Sequence, residues 1–259
     1  MPAVPDYNKY NFEGENAPLV LGLLNGARVL RINGHNADVD IASVPEDLIP
    51  QGGVYTFQTT AQSLEILSSS AADAAAGTGA RTVTIRGLDA NYKEIEETVT
   101  LNGVTVVALT LTYLRVNFLF IVTAGSGLVN AGTITCRVVA AGATLSVIEI
   151  GFSLSHQGIY TVPAYHSLVL RSILTSSNNA SGSANLLIQT REGITNAAFI
   201  TRAMAIIWGF QSAPAEFATG FLVTEKSDLR FRIVSSQQDN TELAATFGAI
   251  LFRTGDDGL

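Results

Sequence analysis

The chain of 259 residues has one cysteine, one tryptophan, two methionines and three histidines. A single cysteine, Cys136, excludes an internal disulfide and any zinc site built from several thiolates. Its flanks, "TITCRVV", alternate as a strand does, so Cys136 reads as a small core residue. Charge is also scarce: only 14 % of residues are Asp, Glu, Lys or Arg, against 47 % hydrophobic. So little charge suits a chain whose surface is partly covered by copies of itself. The net charge of -7 lacks the basic face that a nucleic-acid partner needs, and disfavours an anionic membrane surface. Apolar runs are short and broken by Gly, Thr or Asn, so no membrane span is expected. The first residues, "MPAVPDYNKYNFEGEN", lack a signal-peptide layout. The chain is therefore expected to be made in a cytoplasm and to stay soluble or join an assembly.

What the sequence has in abundance is short β-branched segments between turn signals. From Val54 onward "LEIL", "RTVTIRG", "EIEETVTL", "YLRVNFLFIV" and "TLSVIEI" follow one another. In "RTVTIRG" Val83 and Ile85 share one face, with Thr82, Thr84 and Arg86 on the other. In "EIEETVTL" Ile95, Val99 and Leu101 share a face on which Glu97 is dissonant. Asp89–Asn91 and Asn102-Gly103 supply turns, so this stretch reads as a three-strand meander fed by a small, polar loop, Ser68–Ala80, that projects from the sheet.

A second series after Gly151 includes "HSLVLRSILTS", "ANLLIQTRE" and "DLRFRIVSS". The segment "NAAFITRAMAIIWGF" is read as a strand, with Trp208 and Phe210 in the core. About fifteen strands and almost no helix are expected. The fold class is all-β: two antiparallel β-sandwich or jelly-roll-like units with an extended N-terminal arm. Residues 1–50 are assigned to the arm and linker, 51–150 to a first sandwich and 151–259 to a second, jelly-roll-like one. On this reading a hairpin surrounds Asn25-Gly26, and removing residues 1–40 leaves the sandwiches intact.

Catalytic and cofactor signatures are missing. "GTGART" fails the last position of a dinucleotide loop, no phosphate loop is present, and "AGSGL" around Ser126 lacks nucleophile-elbow spacing. His35, His156 and His166 lack zinc spacing, although the last two could meet across a hairpin and otherwise read as surface or interface residues. "DVD" resembles the start of a calcium loop but lacks its glycine and closing glutamate. Glu94 and Glu96 read as a solvated strand face. No catalytic residue, cofactor or resident metal is therefore expected. Asn179 opens a glycosylation-type triplet that has no meaning without secretion. The candidate partner-docking residues are the aromatics Tyr7, Tyr10 and Phe12 and the arm acids Asp38, Asp40, Glu46 and Asp47.

One stretch carries a resemblance. "SSSAADAAAGTGARTVTIRGLDANYKEIEETVTLNG" (68–103), preceded by "EDLIPQGGVYTF", is similar to a group of virion structural proteins of tailed bacterial viruses. "YTVPAYHSLVLRS" and "LVTEKSDLRFRIVSSQQDNTELAATFGAILF" resemble the C-terminal half of that group. The resemblance implies a capsid decoration (cement) protein. Such a protein would bind the outside of the phage head as a homotrimer, with the major capsid protein as partner. A tail-associated fibre or adhesin that binds host glycans is the alternative, and a virion-borne glycan hydrolase is a third reading that needs paired carboxylates in a groove.

Overall fold

The computed structural model describes residues 26–178, 182–193, 197–208 and 213–255. Among these residues every regular element is a strand: sixteen strands, all paired antiparallel. The chain opens with β1 (Ala27–Val39) and the two-residue β2 (Glu46–Asp47). It continues through β3 (Gln62–Ser68), β4 (Ala80–Leu88), β5 (Glu94–Thr100), β6 (Val107–Tyr113), β7 (Arg115–Ala124), β8 (Ile134–Val138) and β9 (Thr144–Ile148). The remainder is β10 (Ile159–Thr161), β11 (His166–Ser177), β12 (Ser183–Arg191), β13 (Ile200–Trp208), β14 (Ala213–Val223), β15 (Asp228–Ser236) and β16 (Thr241–Arg253).

These strands form two stacked pairs of sheets. One pair holds β1-β16-β11-β14 and β10-β15-β12-β13, with β2 also pairing β15. Numbering its eight main strands in chain order, the sheets run 1-8-3-6 and 2-7-4-5. That order is the eight-stranded jelly roll, two interleaved Greek keys. Inward side chains of both sheets share one core, including Ile32, Leu170, Leu186, Ile233 and Leu251, and Phe231 on β15 stacks on Phe247 of β16 across the sheets. The second pair, β6-β3-β8-β9 and β5-β4-β7, encloses a separate core with Leu64, Ile66, Val83, Ile85, Leu119 and Cys136. The β3–β9 unit is thus inserted between the first and second strands of the jelly roll.

The N-terminal assignment needs correction. Residues 27–39 are no arm: β1 pairs with β16 from Ala27↔Phe252 to Val39↔Thr241 and contributes Ile32 and Val39 to the core. Residues 27–48 therefore belong with the strands after Gly151, where the hydrophobic surface that covers them lies, β1 pairing with residues more than 200 positions away. The expected hairpin around Asn25-Gly26 falls largely outside the described residues. Gly26 itself has a φ of +79° and accepts a hydrogen bond from the Arg253 amide.

The meander is also different. β4 and β5 form the expected hairpin through Asp89, whose carboxylate accepts the Asn91 and Lys93 amides at 2.8 and 2.9 Å. Asn102-Gly103 instead carries the chain from one sheet to the other, because β6 pairs with β3. Gly103 has a φ of +59°, a left-handed conformation that side chains with a Cβ rarely adopt. Glu97 explains its own dissonance. Its carboxylate takes the Thr110 amide at 2.8 Å, the Leu111 amide at 3.0 Å and the Thr110 hydroxyl at 3.0 Å. An acid on the inward side of β5 thus satisfies the open edge of β6 in the facing sheet.

The Ser68–Ala80 loop does not project. It folds around Asp73, which is fully buried. Asp73 Oδ1 accepts the Ala80 and Ala131 amides at 2.7 and 2.8 Å, and Oδ2 accepts the Gly132 amide at 2.9 Å and the Ser68 hydroxyl at 2.6 Å. The Asp73 carbonyl accepts the Gly103 amide at 2.8 Å. The carboxylate therefore joins the β3–β4 and β7–β8 loops, and the backbone carbonyl of the same residue adds the β5–β6 turn. Small residues are required because the loop packs tightly on itself: a Cβ on Gly77 would lie 2.0 Å from the Ala72 carbonyl oxygen, and one on Gly79 2.0 Å from Asp73 Oδ1.

Candidate functional site

The two units meet over a buried polar seam. Arg115, the first residue of β7, reaches from the inserted sandwich to Asp228 at the start of β15, with Nε–Oδ1 at 2.9 Å and Nη2–Oδ2 at 3.1 Å. Asp228 also accepts Arg191 Nη2 at 2.5 Å and the Thr161 hydroxyl at 2.6 Å. Asn117 closes the same seam by exchanging two hydrogen bonds of 2.9 Å with the backbone of Thr161. The Arg191 guanidinium lies 4.7 Å from the ring centroids of both Phe57 and Phe199, which cover it. Two guanidinium groups, one carboxylate and their fixed donors set the orientation of one unit on the other.

At a second point of contact His35 of β1 lies between Glu149, just after β9, and Glu242 of β16. Phe152 stacks on its ring at 5.7 Å, and His156 approaches edge-on at 6.5 Å. His156 and His166, which could have met across a hairpin, lie apart. His166 Nδ1 instead faces the Ala164 carbonyl at 2.9 Å, because His166 begins β11 on the other side of the turn. A groove of about 530 Å³ adjoins this contact, lined by Pro50, Gln51, Thr133, Thr135, Glu149 and Phe152 among others.

The predicted docking acids divide. Asp38 and Asp40 remain at the surface, where Asp40 Oδ1 accepts the Asn240 amide at 2.8 Å. Glu46 and Asp47 are buried and serve the fold, which corrects their assignment to a docking arm. Glu46 takes Asn36 Nδ2 and the Gly53 amide, each at 2.9 Å, and the Ser43 hydroxyl. Asp47 takes the Tyr55 amide at 2.8 Å and Arg232 Nε at 2.9 Å, fastening β2 to β15. Tyr7, Tyr10, Phe12 and Asn179 lie outside the described residues. Among the described residues no three His, Cys, Asp or Glu side chains gather as a metal site.

The surface that sequence reasoning missed is apolar. The inserted unit packs on the flank of the jelly roll formed by β1 and β10, whereas β13 and β14 are the last strands of their sheets on the other flank. On β13 the alternation places Ala203, Ala205 and Ile207 inward and Met204, Ile206 and Trp208 outward. Trp208, expected in the core, is 56 % exposed. On β14 Leu222 is 59 % exposed and ends an apolar row, Val29–Ile250–Val169–Leu222, that crosses all four strands of its sheet. The signal for this face was present in "TRAMAIIW", whose apolar residues occupy both faces of a strand.

No known protein family matches this chain, and no curated protein does. Among solved structures it is similar to a chain in the structure of the Gx strain of infectious bursal disease virus. The identity is 12 % with a TM-score of 0.27, over 89 % of this chain and 73 % of that one. It is similar also to the VP2 subviral particle of the same virus, at 11 % identity and a TM-score of 0.25, over 88 % of this chain and 72 % of that one. Likeness at this level carries no argument about function. The strand order, read directly from this chain, does the work instead.

Proposed function

We propose that this protein is a virion structural protein, a capsid decoration (cement) protein of the tailed-phage type, that binds the outside of the head as a homotrimer. In this role it holds the major capsid protein and stabilises contacts between capsomers, without catalysing a reaction. The observation that carries the reading is the jelly roll with one flank capped by an inserted sandwich and the other, among the described residues, left open and apolar. Jelly rolls recur in viral shells and in lectins, and the fold alone does not choose between them. The open flank favours assembly: two adjacent sheet edges with Met204, Ile206, Trp208 and Leu222 outward match a surface that copies of the chain cover. The carboxylates support a structural role too, since Glu46, Asp47, Asp73, Glu97 and Asp228 are all engaged by internal donors.

The test is the mass of the purified protein in solution, by light scattering and native mass spectrometry. A trimer is expected for the wild type and a folded monomer for Leu222→Asp combined with Trp208→Asp. A wild-type monomer at micromolar concentration overturns the trimer.

The second reading, a tail-associated adhesin for host glycans, is favoured by the groove beside Phe152. Its threonine hydroxyls, Gln51 and an aromatic ring suit a saccharide. Binding of glycans at that groove, with loss on Phe152→Ala, would support this reading over the first.

A further inference from the structure

We propose that His35 is a proton-dependent latch that ties the inserted sandwich to the jelly roll. The argument starts from donor arithmetic. His35 Nδ1 lies 2.7 Å from Glu149 Oε2, and Nε2 lies 3.0 Å from Glu242 Oε1. Ionised carboxylates only accept, so both ring nitrogens must donate, and only the imidazolium has two N–H groups. A neutral ring would turn a lone pair toward one of the two glutamates. The latch therefore closes when the site holds its proton and loses one hydrogen bond when it does not.

The placement gives this proton a mechanical role. Glu149 belongs to the segment that leaves the inserted sandwich, whereas His35 and Glu242 lie on neighbouring strands of the jelly roll. The His35 amide also donates to the His156 carbonyl at 2.9 Å, so the same residue anchors the return crossing through its backbone. The groups that face the ring are few. From the crossing come Glu149, Phe152 and His156, and from β16 comes Glu242, whose Oε2 accepts Asn178 Nδ2 at 3.4 Å. Asn36, next along β1, turns to Glu46 instead. Besides the two glutamates, His156 is the titratable group against the ring among the described residues, and burial holds its pKa below the usual histidine value whereas that of His35 is raised.

The Glu149 hydrogen bond raises the His35 pKa against the opposing effect of burial, and Glu242 adds to the rise. A group with a raised folded-state pKa stabilises the fold fully below its unfolded value, 6.5, and loses that contribution as pH climbs through the folded value. The latch is thus closed below 6.5 and releases as pH rises through the raised folded-state value. It does not depend on which shell or partner the protein binds.

With only three histidines, the test is an NMR titration of the imidazole carbon-bound protons in the full chain labelled at histidine, beside the same titration of Glu149→Gln. The expected result is a His35 midpoint above 6.5, lowered in Glu149→Gln so that proton affinity falls about tenfold. Backbone hydrogen exchange across residues 149–158, corrected for intrinsic rate, is expected to rise with pH through that midpoint in the wild type only. A wild-type His35 midpoint at or below 6.5 overturns the proposal without recourse to any variant. So does a midpoint that Glu149→Gln leaves unmoved, or exchange that rises equally in both proteins.

Discussion

Replacing Asp73 by Asn asks the most of the motif that the sequence made conspicuous. The amide can keep its oxygen at the Oδ1 position, where the Ala80 and Ala131 amides donate. Its nitrogen then occupies the Oδ2 position and confronts the Gly132 N–H, donor against donor. The Ser68 hydroxyl can reverse and accept, so that contact survives. One buried N–H left without an acceptor costs about 1–3 kcal/mol, and weakening two charge-assisted bonds to neutral ones costs about 1 kcal/mol each. The sum is roughly 4 kcal/mol, equivalent to a fall of about 8–16 °C in Tm for a domain of this size. Ser68→Ala, which removes the hydroxyl's bond to Asp73 and the one it accepts from the Ser70 amide, sets the scale at about 2 kcal/mol. Thermal unfolding followed by circular dichroism, with urea midpoints as a second measure, compares the two variants. If Asp73→Asn loses no more than Ser68→Ala, the carboxylate does not hold the β3–β4 and β7–β8 loops together and the account of residues 68–103 fails.

Other expectations follow from the same geometry. Asp228→Asn leaves Arg115 buried without its counter-charge and is expected to cost about 3–5 kcal/mol in urea unfolding, whereas a loss under about 1 kcal/mol would deny the seam its role. Removing residues 1–40 takes away β1, with Ile32, Val39 and the partner of β16, so the product should not fold, whereas removal of 1–25 should leave a cooperative thermal transition. A sharp transition at the wild-type Tm after the longer deletion would mean that β1 is dispensable.

The strands were legible wherever the pattern is local. "RTVTIRG" and "DLRFRIVSS" each alternate cleanly, and in both the inward residues Val83, Ile85, Leu229, Phe231 and Ile233 are fully buried. The all-β class was also legible, because Ser-, Asn- and Gly-rich loops separate runs of strand length. What failed was long-range or chemical. Nothing between residues 27 and 48 names a partner that lies beyond residue 228, and "HNADVD" breaks the alternation with polar residues that pack against Glu46 and the crossing segment. Asp47 read as a docking acid, and Asp73 lay in a loop read as projecting, because a buried carboxylate and a solvated one are the same letter. Only the backbone amides and guanidinium groups brought to them by the fold distinguish the two. The seam was invisible for that reason, since Arg115 and Asp228 are 113 positions apart. The apolar flank misled in the opposite direction. Trp208 was assigned to the core on hydrophobicity, but on an edge strand with apolar residues on both faces only one face meets the core, and among the described residues the face that carries Trp208 is exposed.

The central claim is that this chain covers a shell in many copies, and counting those copies tests it most directly. Quantitative mass spectrometry of purified virions, with labelled peptides from this protein and from the major capsid protein, gives the ratio. The account predicts a copy number close to that of the shell protein. A small fraction of it, as for a component confined to a tail or a single vertex, would contradict head decoration.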